Sequence, residues 1–229
     1  MRNAILGGAL VCALSLTAAA PAFATDTVMD ASLKATPAKA GTKKKPRRVS
    51  LTLGIEGSSK TGQPSPTTRL KVTLPKGFTW NGKRWPAKKR CSASMATIRK
   101  TASVCPAGSK VGSGHVSAVA GNGTLTEEID LTAFVTTGGN LGLFLDATQP
   151  VPLKVMLEGK VRGRTIDVAI PQNIQEPVPG VPTGIKTLRF SLGRGVVKST
   201  SCPGRKWSAK VTNVLRDGSL TEKPATACR

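Results

Sequence analysis

Tyrosine is absent from this 229-residue chain, and aromatic residues together make up only 3% of it. The core must therefore be built from Val, Leu and Ile rather than from rings, and aromatic platforms for sugars are scarce. Acids are the second shortage: 12 Asp and Glu stand against 34 Lys and Arg, a formal net charge of +22. That balance points to anionic surroundings such as nucleic acid, anionic lipid or anionic glycan. Histidine occurs once, as His115, and no Cys-x-x-Cys pair is present. Metal-ligand spacing is thus missing, and neither a metal nor a cofactor is expected. After residue 24 no apolar run is long enough to span a bilayer, so no transmembrane segment is expected in the mature chain.

What is present begins with an export signal. Arg2 supplies a short positive start, Ala4 to Ala20 is small, apolar and uncharged, and Ala22-Phe23-Ala24 fits the A-x-A cleavage pattern. Residues 1–24 read as a signal peptide. A membrane anchor is the competing reading, but Gly7, Gly8, Ser15 and Thr17 interrupt a run already short of the ~20 residues a span needs. Cys12 raises a lipoprotein signal, against which Val11 stands where a small residue belongs. Residues 25–48 show Ala, Thr, Lys and Pro without evident period and end in the basic run Lys43 to Arg48. They read as a disordered basic linker, either a solvated tether or a grip on a polyanion.

Four cysteines remain after the signal: Cys91, Cys105, Cys202 and Cys228. An even number in an exported chain suggests disulfides. Three pairings are possible, and sequence proximity favours Cys91–Cys105 with Cys202–Cys228. Closing the first loop is worth about 3 kcal/mol in the chain-entropy picture. Inside it, Met95, Ile98 and Ala102 recur at helical spacing and predict a two-turn helix that buries this face.

From residue 49 the period becomes two. Val49 to Ile55, Arg69 to Leu74, His115 to Ala120, Thr124 to Val135, Ile185 to Leu192 and Trp207 to Leu215 read as strands. Asn140 to Asp146, Val151 to Val161 and Arg164 to Ile170 add three more. Asn81-Gly82, Asn122-Gly123 and Asp217-Gly218 are hairpin-turn signals. Pro171 to Gly184 carries four prolines and reads as a crossover. About nine short strands and one disulfide-bracketed helix predict an all-β fold over residues 49–229. The expected architecture is an antiparallel β-sandwich, immunoglobulin-like or jelly-roll-like, in one body or two small ones.

The order of Leu-Pro-Lys-Gly77, Cys91, Cys105-Pro-Ala-Gly-Ser-Lys-Val-Gly-Ser-Gly114, Cys202-Pro-Gly-Arg-Lys-Trp207, Asp217-Gly-Ser219 and a terminal cysteine resembles uncharacterised secreted β-rich proteins of actinobacterial type. The resemblance implies export and a β-rich fold. It transfers no activity and no functional residue.

Candidate chemistry is sparse. Glu128 and Asp130 share a strand face about 7 Å apart, near the spacing of about 5 to 10 Å that glycoside hydrolysis uses; the plain alternative is a solvated face. His115 could act as a base, but neighbouring Ser113 lacks the Gly-x-Ser-x-Gly elbow. The stronger signal is Lys76 to Lys100, which is rich in cations, free of acids and holds Phe78, Trp80 and Trp85. Lys83, Arg84, Trp85, Lys88, Lys89 and Arg90, with Trp80, form the candidate ligand-binding set, cations for phosphate or carboxylate and rings for sugars or bases. At least one of the two Trp is expected in the core. The expectation is a non-enzymatic protein, secreted or held at the cell envelope, that binds an anionic envelope polymer. Nucleic acid is the alternative ligand, and a secreted hydrolase the weaker third reading.

Overall fold

The computed structural model describes residues 26–193 and 195–229. The expected signal, residues 1–24, lies outside the described residues. The chain opens with β1 (Val28–Thr36), β2 (Arg47–Arg48), β3 (Ser50–Ser58), β4 (Thr67–Thr73) and β5 (Phe78–Trp80). Helix α1 (Ala93–Arg99) follows, and then a five-strand run: β6 (Lys110–Ala120), β7 (Leu125–Val135), β8 (Leu141–Ala147), β9 (Leu153–Arg162) and β10 (Thr165–Ala169). A one-turn helix α2 (Gln172–Gln175) lies in the proline-rich span. After it come β11 (Thr183–Leu192), β12 (Val197–Ser199), β13 (Lys206–Ser208), β14 (Lys210–Leu215), β15 (Ser219–Glu222) and β16 (Ala225–Ala227).

Eleven strands form one antiparallel sheet in the order β1-β3-β11-β6-β7-β8-β9-β10-β4-β14-β15. The sheet curls until its ends meet. The Ala40 N–H donates to the Arg229 carbonyl at 2.7 Å, Arg229 donates to Ala38 at 2.8 Å, and β1 packs beside β15 and β16. The two layers of the sandwich are therefore halves of one nearly closed sheet. Alternation places Leu51, Leu53 and Ile55 of β3, Ile129, Leu131 and Ala133 of β7, and Ile166 and Val168 of β10 in a common aliphatic core. The all-β antiparallel fold with its short disulfide-bracketed helix is the one the periodicity predicts. Two small sheets, β2-β12-β5 and β13-β16, complete it.

The disulfides join Cys91 to Cys105 and Cys202 to Cys228, with Cα–Cα distances of 4.7 and 5.9 Å. The hairpin signals at Asn122-Gly123 and Asp217-Gly218 lie at the β6–β7 and β14–β15 turns, the latter closed by Leu215 N–H to the Gly218 carbonyl at 2.8 Å.

Four expectations need correction. Residues 25–48 are not a disordered linker throughout. Met29, Ala31, Leu33 and Ala35 alternate inward along β1, which pairs with β3 over its full length, from Val28 opposite Ser58 to Thr36 opposite Ser50. Asn81-Gly82 is not a hairpin turn: Gly82–Arg84 is a 3-10 turn. Gly82 is needed for space, since a Cβ there would stand 2.2 Å from both the Gly139 carbonyl oxygen and Trp80 Nε1. The expected strand from Trp207 to Leu215 breaks at Ala209 into β13 and β14, which join different sheets. Finally, α1 turns the other face inward. Ala96 is fully buried, while Met95 and Ile98 are 42% and 72% exposed. Phe134, Phe144 and Met156 of β7, β8 and β9 already supply bulk on this outer face of the sheet. The helix is tied there by the disulfide and by Cys91 N–H to the Val135 carbonyl at 2.8 Å. Only small side chains fit in the gap that remains.

Candidate functional site

The candidate set sits where the β2-β12-β5 sheet meets two 3-10 turns, Gly82–Arg84 and Ala87–Lys89. Trp80 ends β5, and both tryptophans are half-buried against the core. Their indole N–H groups are committed to backbone: Trp80 to the Gly139 carbonyl at 2.7 Å and Trp85 to the Gly108 carbonyl at 2.9 Å. Neither ring swings free, so each is part scaffold and part surface.

Arg90 is a brace. Its guanidinium donates from Nε to the Trp85 carbonyl (3.0 Å), from Nη1 to Thr137 (3.0 Å) and from Nη2 to Lys83 (2.8 Å). Those bonds shape the loop and commit three of the five guanidinium N–H donors to backbone. Lys83 and Lys88 are exposed on the two turns.

The remaining cations converge. Arg84 and Lys89 line an open cleft beside Trp85, and two cations from distant parts of the chain join them, Arg48 of β2 and Lys198 of β12. Arg48 and Lys198 are direct antiparallel partners. Like charges directly opposite on a sheet repel. Among the described residues no carboxylate lies within ion-pair distance of these four side chains, for the five ion pairs present involve Arg69, His115, Lys154 and Arg216. Bare backbone brings the stems down. A Cβ on Gly195, whose φ is +77°, would meet Arg48 Cδ at 2.7 Å, and one on Gly108 would meet Lys89 Cδ at 2.9 Å. Arg48 belongs to the basic run noticed in the sequence, whereas Lys198 was not singled out. Its only signal is a charge that directly follows the apolar pair Val196-Val197.

The second candidate cluster is tied up with itself. His115 on β6 stands opposite Asp130 on β7. Its Nε2 lies 2.6 Å from Glu128 Oε2 and its Nδ1 3.1 Å from Asp130 Oδ1, while Ser117 donates to Glu128 Oε1 at 2.9 Å. The bond to Asp130 and then that to Glu128 raise the imidazole above its ordinary value. The bonds from His115 and Ser117 hold Glu128 below the usual carboxylate range. The two carboxylates thus flank one imidazole on an exposed sheet face rather than bracketing a space for a sugar, and Ser117 donates to an acid, not to the histidine. No group of three or more His, Cys, Asp or Glu arranged for a metal occurs among the described residues. No helix among them is long and apolar enough to cross a membrane.

No protein-family model and no curated protein matches the chain. Among solved structures it is similar to the N-terminal domain of the Streptococcus gordonii adhesin Sgo0707, at 9% identity and a TM-score of 0.38, over 87% of this chain and 32% of that one. The chain therefore spans about a third of that structure, and the likeness is too distant to transfer any role.

Proposed function

We propose that this is an exported, non-catalytic protein of the cell envelope or extracellular space that binds an anionic polymer in the cleft of Arg48, Arg84, Lys89 and Lys198. One observation carries the reading: four cations from three separate parts of the chain line one cleft, two of them directly opposite each other, with no ion-paired acid among the described residues. A bound phosphate or carboxylate relieves that repulsion and takes charge-assisted hydrogen bonds from Arg48 and Arg84. The disulfides suit an oxidising compartment. Envelope polymer is preferred to nucleic acid because both indoles are pinned to backbone carbonyls and half-buried, which makes them poor platforms for successive bases.

The test is fluorescence anisotropy of the oxidised protein with polyglycerol phosphate, single-stranded DNA and neutral dextran at ~0.15 M salt, where exposed charges act over about 8 Å. Binding of polyglycerol phosphate, weaker binding of DNA and none of dextran are expected. Tighter binding of DNA would transfer the site to nucleic acid, and failure to bind either polyanion would overturn the proposal.

A further inference from the structure

The interior of the curled sheet is incompletely filled. With so few rings available, the core relies on Leu, Ile and Val, and two cavities of about 70 and 100 Å³ remain. Leu70, Leu131, Leu143, Val168 and Leu188 line both, so the cavities are neighbours along one interior. No charged side chain lines either of them. Together they are close to the ~150 Å³ that takes one benzene, room for about six carbon-sized groups in all. Barrel-like sheets of eight or more strands are able to enclose one small ligand in this way.

One end of this interior is polar. The second cavity is also lined by Thr67, Thr183 and Gln175 of α2. The hydroxyl oxygens of Thr67 and Thr183 are buried and have no hydrogen-bond partner among the described residues. Thr67 is only 3% exposed. Gln175 is already engaged, donating to the Ile170 carbonyl at 2.7 Å. A buried hydroxyl without a partner is destabilising, and such groups are rare enough in native proteins to need a reason.

From these features we infer that the sheet interior is a binding site for a neutral, single-chain amphiphile. A linear tail of about six carbons fills the two cavities, and a hydroxyl-type head meets Thr67 and Thr183. The head is neutral because the lining offers no cation, and burial of an uncompensated carboxylate is prohibitive. This site is separate from the basic cleft, and neither proposal depends on the other.

Isothermal titration and thermal melting of the oxidised full chain with 1-hexanol, hexanoate and n-hexane test it. Hexanol is expected to bind one to one and to raise Tm, as any ligand selective for the folded state does, with hexanoate at least tenfold weaker. Leu143→Phe, placed where the cavities adjoin, is expected to cut hexanol affinity at least tenfold without lowering Tm. Val168→Leu is the second filling variant should that one fail to fold. Thr67→Val with Thr183→Val is expected to weaken hexanol severalfold and leave n-hexane unchanged. Absence of saturable hexanol binding overturns the inference, as does undiminished binding to a folded, cavity-filled variant.

Discussion

Lys198 and Arg48 face each other across β12 and β2, and neither is ion-paired with an acid among the described residues. If that arrangement is kept for a ligand, relieving it should stabilise the free protein and weaken binding. Lys198→Glu converts a repulsive cross-strand pair into an attractive one, a change of up to about 1 kcal/mol. Its Tm at low salt is expected to rise, and its hold on polyglycerol phosphate to fall; a lower Tm would mean that the lysine is there for packing. His115 gives a pH test. Its raised folded-state value means that its share of stability is fully present below 6.5 and is lost as pH rises through that raised value. Glu128 is lowered, so its share is present above 4.5 and is lost as pH falls through its own lowered value. The pair therefore stabilises most between pH 4.5 and 6.5. Because both groups are exposed, the gain stays within the ~0.2–1 kcal/mol of surface pairs. The Tm gap between wild type and His115→Gln should be widest in that window and close on the alkaline side; a gap independent of pH would show that charge plays no part.

At the scale of elements, the period-two strands were readable because large aliphatic side chains alternate with polar ones, as in Leu51-Thr-Leu-Gly-Ile55. β1 escaped notice because two of its inward residues are Ala31 and Ala35, whose contrast with Ser and Thr neighbours is weak, and because the lysines after it suggested disorder. Deleting residues 26–36 should therefore unpair the whole edge of β3 and yield aggregating protein, whereas a dispensable tether would leave Tm unchanged. Helix α1 was readable as a helix but not in its facing. Met95 and Ile98 have the composition of a core face, yet the segment packs over Phe134, Phe144 and Met156 through alanines, Ala96 fully buried and Ala93 and Ala102 partly so. So short a helix does not persist alone. Replacing Cys91 and Cys105 with Ser is expected to cost about 3 kcal/mol, read as a Tm drop of roughly 6–12 °C for a chain this size, and to uncover Phe134 and Phe144 to a hydrophobic dye. A Tm within error of wild type would show that the sheet holds α1 without the bond.

At the scale of the whole molecule, the basic excess was plain from composition, and the segment around Arg84 and Lys89 was identified by its lack of acids. What the chain order hides is convergence. Arg48, Arg84, Lys89 and Lys198 lie up to 150 residues apart and meet only because β2 and β5 both pair with β12. The same curling sheet drew Arg90 inward as a brace, a role that no local pattern announces. Net positive charge alone binds polyanions weakly and anywhere on a surface. A defined cleft binds at one place, so the two are separable by where charge is removed.

The decisive measurement is the salt dependence of polyglycerol phosphate affinity for wild type, for Arg84→Ser with Lys198→Ser, and for Lys60→Ser with Lys223→Ser, which remove the same charge outside the cleft. With four cations engaged, the logarithmic slope should be about −3, by analogy with single-stranded polyanions, and should fall to about half in the cleft variant while the control keeps the wild-type slope. Equal losses in the two variants would contradict the account, because the charge would then act as a diffuse surface field and not as a site.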